Sequence, residues 1–90
     1  MFNNITKPSD LEKLTWNYYE LSENNKYWEY TYENDKYFLR EGDFKYINNK
    51  LIKLNSKTLY GRMNDENEVF KYINKLIFEK KNLGYLFIKT

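Results

Sequence analysis

Polar and apolar residues alternate most cleanly between Lys26 and Glu33, where Trp28, Tyr30 and Tyr32 fall on one side and Glu29, Thr31 and Glu33 on the other. A period of two over eight residues predicts a half-buried antiparallel strand, aromatic face inward and carboxylate face in solvent. Asn34-Asp35 suits a two-residue hairpin loop, and Lys36 to Arg40 returns as the next strand. Upstream, Thr15 to Leu21 is rich in strand formers, and Trp16 and Tyr18 are assigned to the same inward face as Trp28. Ser22 to Asn25 reads as a turn. Glu41-Gly42-Asp43 breaks the run. Phe44 to Ile47, Asn48-Asn49 and Leu51 to Leu54 form a further hairpin, and Asn55 to Met63 is open between strand and loop.

The period changes to helical from Glu66 to Asn82. Val69, Phe70, Ile73, Leu76, Ile77 and Lys80 follow three-four spacing, with Lys71, Lys75 and Glu79 opposite. Asp65 with Glu68 fits an N-terminal cap, and Gly84 fits a left-handed stop. Tyr85 to Ile88 is a short apolar strand. At the other end, Pro8 followed by Ser9 and Glu12 spells a capping box for a short helix through Leu14. Together these elements predict an α+β fold: a small antiparallel β-sheet with one long amphipathic helix packed on it. Residues 1–14 form an N-terminal arm and residues 15–90 the domain.

Length and composition narrow the function. Ninety residues make one core the default. Cysteine and histidine are both absent, which removes disulfides, thiolate chemistry, the commonest general base and the commonest metal ligand. Only Gly42, Gly61 and Gly84 are glycine, so no phosphate loop can form, and no calcium-loop spelling occurs. The expectation is a non-catalytic chain with no cofactor and no metal site. The opening Met1-Phe2-Asn3-Asn4 carries no signal-peptide pattern and no apolar run approaches a membrane span, so a cytoplasmic protein without membrane contact is expected. The net charge of +2, with signs interleaved, lacks the basic stripe of a dedicated nucleic-acid binder. Ten tyrosines suit a contact surface and are equally the product of AT-rich codons.

Three segments carry a resemblance: Lys26-Tyr27-Trp28-Glu29-Tyr30, then Arg40-Glu41-Gly42-Asp43-Phe44, then Phe78-Glu79-Lys80-Lys81-Asn82-Leu83-Gly84-Tyr85. Over about Trp16 to Tyr85 the chain resembles the WGR domain, found in DNA-damage-dependent poly(ADP-ribose) polymerases and in short bacterial proteins. The resemblance implies a module that engages a DNA end through the Trp and Arg of its tripeptide and docks on neighbouring protein domains. Here Glu41 and Asp43 stand where the family has Trp and Arg. Two carboxylates oppose phosphate, so the DNA-end contact is expected to be lost at this position.

A second tripeptide, Tyr60-Gly61-Arg62, combines with Lys57 a stacking ring, a cation and a flexible backbone; an ordinary loop with a solvated Arg explains it as well. The candidate partner-binding residues are therefore Arg40, Glu41, Gly42, Asp43, Lys57, Tyr60 and Arg62. Trp28, Tyr30 and Tyr32 read as sheet core or as a stacking platform. Lys71, Lys75 and Lys81 read as a solvated helix face or a basic patch, and Glu29, Glu33, Glu41 and Asp43 as solubilising charges or an acidic docking surface.

The leading expectation is a binding module that docks on a protein of a nucleic-acid-handling complex, with nucleic-acid contact as its second half. The alternative is a small protein inhibitor of a nuclease or toxin, of the phage anti-defence or immunity type. A third reading is a homo-oligomer paired through Leu83 to Ile88.

Overall fold

The structure, a computed structural model, describes residues 2–90; Met1, the first residue of the expected arm, lies outside them. Five antiparallel strands form one sheet in the order β4-β3-β2-β1-β5. The strands are β1 (Asn17–Leu21), β2 (Lys26–Glu33), β3 (Lys36–Ile47), β4 (Lys50–Arg62) and β5 (Leu86–Lys89), with helix α1 (Glu66–Leu83) between β4 and β5. The α+β architecture expected from the sequence is the one observed. Among the described residues no helix is long and apolar enough to cross a membrane.

Asparagine builds the tight turns. Asn34 (φ 56°) sits in the β2–β3 loop, and Asn48 and Asn49 (φ 52° and 64°) form the β3–β4 loop. Asparagine tolerates this left-handed region better than other non-glycine residues, and paired positive φ values match the twist of a two-residue hairpin. Helix α1 begins where the Asp65 carboxylate accepts the Glu68 N–H at 2.9 Å, and ends at Gly84, whose φ of 105° lets its N–H turn back onto the last carbonyls.

Trp28, Tyr30 and Tyr32 lie beneath the helix as the alternation predicts, joined by Tyr19, Tyr37 and Leu39 and covered by Val69, Ile73, Leu76 and Ile77. Val69 and Ile73 are fully buried, each contributing about 1.5–3 kcal/mol by transfer out of water. Lys80 belongs to the same stripe because its chain runs over rings: its Nζ stands 5.7 Å from the Trp28 centroid and 5.1 Å from that of Tyr85.

The opposite face departs from expectation. Glu29 and Thr31 were expected in solvent; Glu29 is 0% exposed and Thr31 is buried. Trp16 and Tyr18 are buried, but on this second face, while Tyr19 takes the position under the helix. The cause is the arm. A 3-10 helix (Pro8–Lys13) lies against the sheet with Trp16, whose indole N–H donates to the Leu11 carbonyl at 2.7 Å. Phe2, Phe38, Trp16 and Tyr60 continue the cover in ring contacts of 5.1–6.5 Å. The arm's turn is tied by Asp10, not by the Ser9–Glu12 box: its carboxylate accepts the Thr6 and Lys7 N–H groups at 3.0 and 3.2 Å.

Two further corrections concern β3 and β4. Glu41-Gly42-Asp43 does not break the strand; β3 runs through it. The irregularity is in β4, where three steps from Lys57 to Leu54 face two from Glu41 to Asp43, and Asn55 takes a φ of 54°. This bulge keeps Leu51 and Lys53 on the same face as Ser56 and Thr58. The ambiguous Asn55–Met63 stretch is strand up to Arg62.

Candidate functional site

Strand alternation and the bulge decide which of the candidate residues can meet. Glu41, Asp43 and Lys57 point to the helix face; Arg40 points to the arm face, in register with Glu29 and Thr58. Beside the C-terminal end of helix α1 the sheet carries an open groove of about 690 Å³. Glu41, Gly42, Asp43 and Lys57 line it. Arg40, Tyr60 and Arg62 do not. Tyr60 meets Phe38 in a tilted ring contact with centroids 5.1 Å apart, and Arg62 is bound to Asp35 at 2.8 Å.

The groove's apolar lining is Leu21, Leu83 and Tyr85, with Tyr85 buried and Leu83 exposed, and its charged lining is Glu23, Lys26, Glu41, Asp43 and Lys57. Leu21, Glu23 and Lys26 were not singled out from the sequence, and Leu83 and Tyr85 only within the pairing edge Leu83 to Ile88. They come from the β1–β2 turn and the end of α1, which only the fold brings beside β3. Lys26 is opposite Asp43 in register, and its Nζ meets the carboxylate at 2.5 Å. Asn55 donates to the other oxygen at 2.7 Å. The Lys26 bond first, and the Asn55 bond next, hold the Asp43 carboxyl below its ordinary range, while Asp43 raises Lys26. Lys80 stands 3.8 Å from Glu41, a loose pair on a carboxylate 60% exposed. Burial pushes the Tyr85 hydroxyl upward.

Gly42 is needed for space, since its φ is not positive. A Cβ there would stand 2.6 Å from the Leu54 carbonyl oxygen and 3.0 Å from that of Asn55, the backbone of the bulge. A side chain at position 42 would push β4 away and reshape the groove's wall.

The acidic docking surface drawn from Glu29, Glu33, Glu41 and Asp43 separates in the same way. Glu29 is internal, and Glu33 accepts the Phe2 N–H at 2.7 Å on the arm side. Glu41 and Asp43 stay in the groove, where Glu23 joins them. The aromatic platform of Trp28, Tyr30 and Tyr32 faces the helix, so it offers no stacking surface with α1 in place. Among the described residues no group of three or more carboxylates converges as a metal site.

With apolar side chains beside three carboxylates and two lysines, this groove can take a chain that presents an apolar side chain beside a cation. Comparison with protein-family models, curated proteins and solved structures returns no match for this chain.

Proposed function

We propose that this chain is a non-catalytic, WGR-like binding module that docks on a protein of a nucleic-acid-handling complex, and that the groove at Glu41-Gly42-Asp43 receives a basic, partly apolar segment of that partner. The observation that supports this reading is the composition of the groove. Three carboxylates, Glu23, Glu41 and Asp43, line it with Lys26 and Lys57 beside Leu21, Leu83 and Tyr85, at the position where the resemblance locates its contact tripeptide. A phosphate backbone would find no surplus of positive charge there, since three carboxylates offset Lys26 and Lys57, whereas a lysine or arginine side chain would find a largely exposed counterion in Glu41 and an apolar seat for its methylenes.

The test is chemical-shift mapping. The pure protein at low salt is titrated with short Arg- and Lys-containing peptides bearing one aromatic residue, then with blunt, nicked and single-stranded DNA and with RNA. The reading expects peptide-induced shifts at Glu23, Glu41, Asp43 and Tyr85 that disappear in Glu41→Lys, and none there from nucleic acid. Nucleic acid shifting these amides, or peptides leaving them unmoved, would sink it.

The same carboxylates favour a second reading, a small inhibitor that covers the basic working surface of a nuclease or toxin. One-to-one co-purification with such an enzyme, together with loss of its activity, separates the two.

A further inference from the structure

On the arm face, four charged side chains meet in an arrangement the groove does not use. Both oxygens of the buried Glu29 accept from Lys53 Nζ, at 2.8 and 2.9 Å. Arg40 is only 6% exposed, and its Nη1 stands farther from Glu29, at 3.5 Å. Its short bond, 2.7 Å, goes to Glu12 on the 3-10 turn of the arm. Glu12 is 64% exposed. Two cations thus share one buried carboxylate, and the charge left over is met by a surface residue. Arg40 also retains donor capacity: its Nε has no acceptor among the described residues, while its guanidinium lies 4.4 Å from the centre of the Trp16 ring.

A cavity of about 520 Å³ opens beside this cluster, between the arm and β4. Arg40, Lys53 and Glu12 line it, with the hydroxyls of Ser56 and Thr58 and the apolar walls of Leu11 and Leu51. Guanidinium, ammonium and the Thr58 hydroxyl are donors suited to a carboxylate or phosphate group, joined by the Ser56 hydroxyl when Tyr27 donates to it, and the guanidinium fork binds either group in bidentate fashion. Burial strengthens such bonds, because water competes less for the donors.

We propose that this cavity is a binding site for a small oxyanion, a phosphate or carboxylate group, held by Arg40 and Lys53, and that Glu12 is the internal carboxylate it displaces. The arm then acts as a plug whose side chain imitates the ligand's charge. The ligand is a small molecule with an anionic head and an apolar body against Leu11 and Leu51. The site lies on the face opposite the groove and does not depend on what the groove binds.

Arginine Nε–H resonances report directly on such a site. Inorganic phosphate is titrated into the wild-type protein and into Glu12→Gln at constant ionic strength, with chloride as the exchanged salt, while the Arg40 Nε–H signal is followed. Acetate forms a second arm. Removing the competing carboxylate is expected to tighten oxyanion binding roughly tenfold, the scale of one charge-assisted hydrogen bond to an exposed group. Saturable movement of the Arg40 signal by phosphate alone identifies a phosphate site, and by acetate alone a carboxylate site; either supports the proposal. A signal that stays still in both proteins, or that moves equally with chloride, overturns it. Glu12 is exposed, so the variant is expected to fold; should it not, the wild-type titration still decides.

Discussion

Tyr37 and Gly61 face each other across β3 and β4, and the absent side chain of Gly61 is where the Tyr37 ring lies: a Cβ at position 61 would stand 2.1 Å from Tyr37 Cζ. The ring continues to Tyr72 of α1, with centroids 5.4 Å apart, so this one small residue lets β4 and the helix grip the same side chain. Gly61→Ala is expected to destabilise the fold by about 1–3 kcal/mol, the range for overpacking. Urea unfolding measures it. Tyr37→Leu in the same chain should recover part of the loss, and an unchanged midpoint in the single variant would contradict the contact.

The pairing of Glu29 with Lys53 and Arg40 makes an asymmetric prediction. Removing Lys53 takes both short hydrogen bonds from the buried Glu29 and leaves it only Arg40, 3.5 Å away, so Lys53→Met is expected to cost about 3 kcal/mol, the lower end for breaking a buried pair. Replacing Glu29, Arg40 and Lys53 together by leucine or methionine should cost far less than the sum of the single changes, because desolvation of the ions disappears with them. Thermal and urea unfolding of the single and triple variants check this. Additive losses would refute it.

Acid should weaken the fold through Asp10 and Asp43. Hydrogen bonds from the Thr6 N–H, for Asp10, and from Lys26, for Asp43, hold these carboxyls below their ordinary value of 3.8. Because the folded value is the lower one, the unfolded chain binds protons first as pH drops. The stabilisation is therefore present above the ordinary value and is lost as pH falls through it toward the folded value. Asp43→Asn should flatten the stability profile between pH 2 and 5, roughly the range over which such carboxyls titrate. The profile is read from urea midpoints; an unaltered slope would count against the Lys26–Asp43 bond.

The β3–β4 loop leaves room for improvement. Asn49 holds a φ of 64°, where glycine carries no Cβ penalty. Asn49→Gly is expected to stabilise by about 0.5 kcal/mol, the relieved left-handed penalty less the extra entropy of an unfolded glycine. A small upward shift in melting temperature checks it. Destabilisation would show that the Asn49 side chain does more than tolerate the turn.

Local patterns carried much of this fold. Alternation in β2 identified Trp28, Tyr30 and Tyr32 as inward. Asn34-Asp35 and Asn48-Asn49 marked two hairpin loops, and Asp65, Val69, Ile73 and Gly84 delimited the helix. Each of these features is decided within a few residues, by backbone φ preference or by the period of one element, so it is legible without knowing what packs where. The candidate site was less legible: Lys57 and Tyr60 group together while residues 55–63 are open between strand and loop, and only once the stretch is strand does their odd spacing put them on opposite faces.

What the tertiary structure decided concerns pairs far apart in the chain. Glu29 looked like a solvent residue because an alternating strand with one covered face reads the same as one with two; only the arm, docked through Trp16 and Phe2, buries it. Gly42 looked like a turn because the bulge it accommodates lies on another strand. The groove joins Glu23, Asp43 and Tyr85, and the arm-face cavity joins Glu12, Arg40 and Lys53. A sequence records which side chains exist and how each element is likeliest to fold on its own, but charge burial and cavity shape depend on which surfaces meet, and that is settled by the free energy of the whole packed chain.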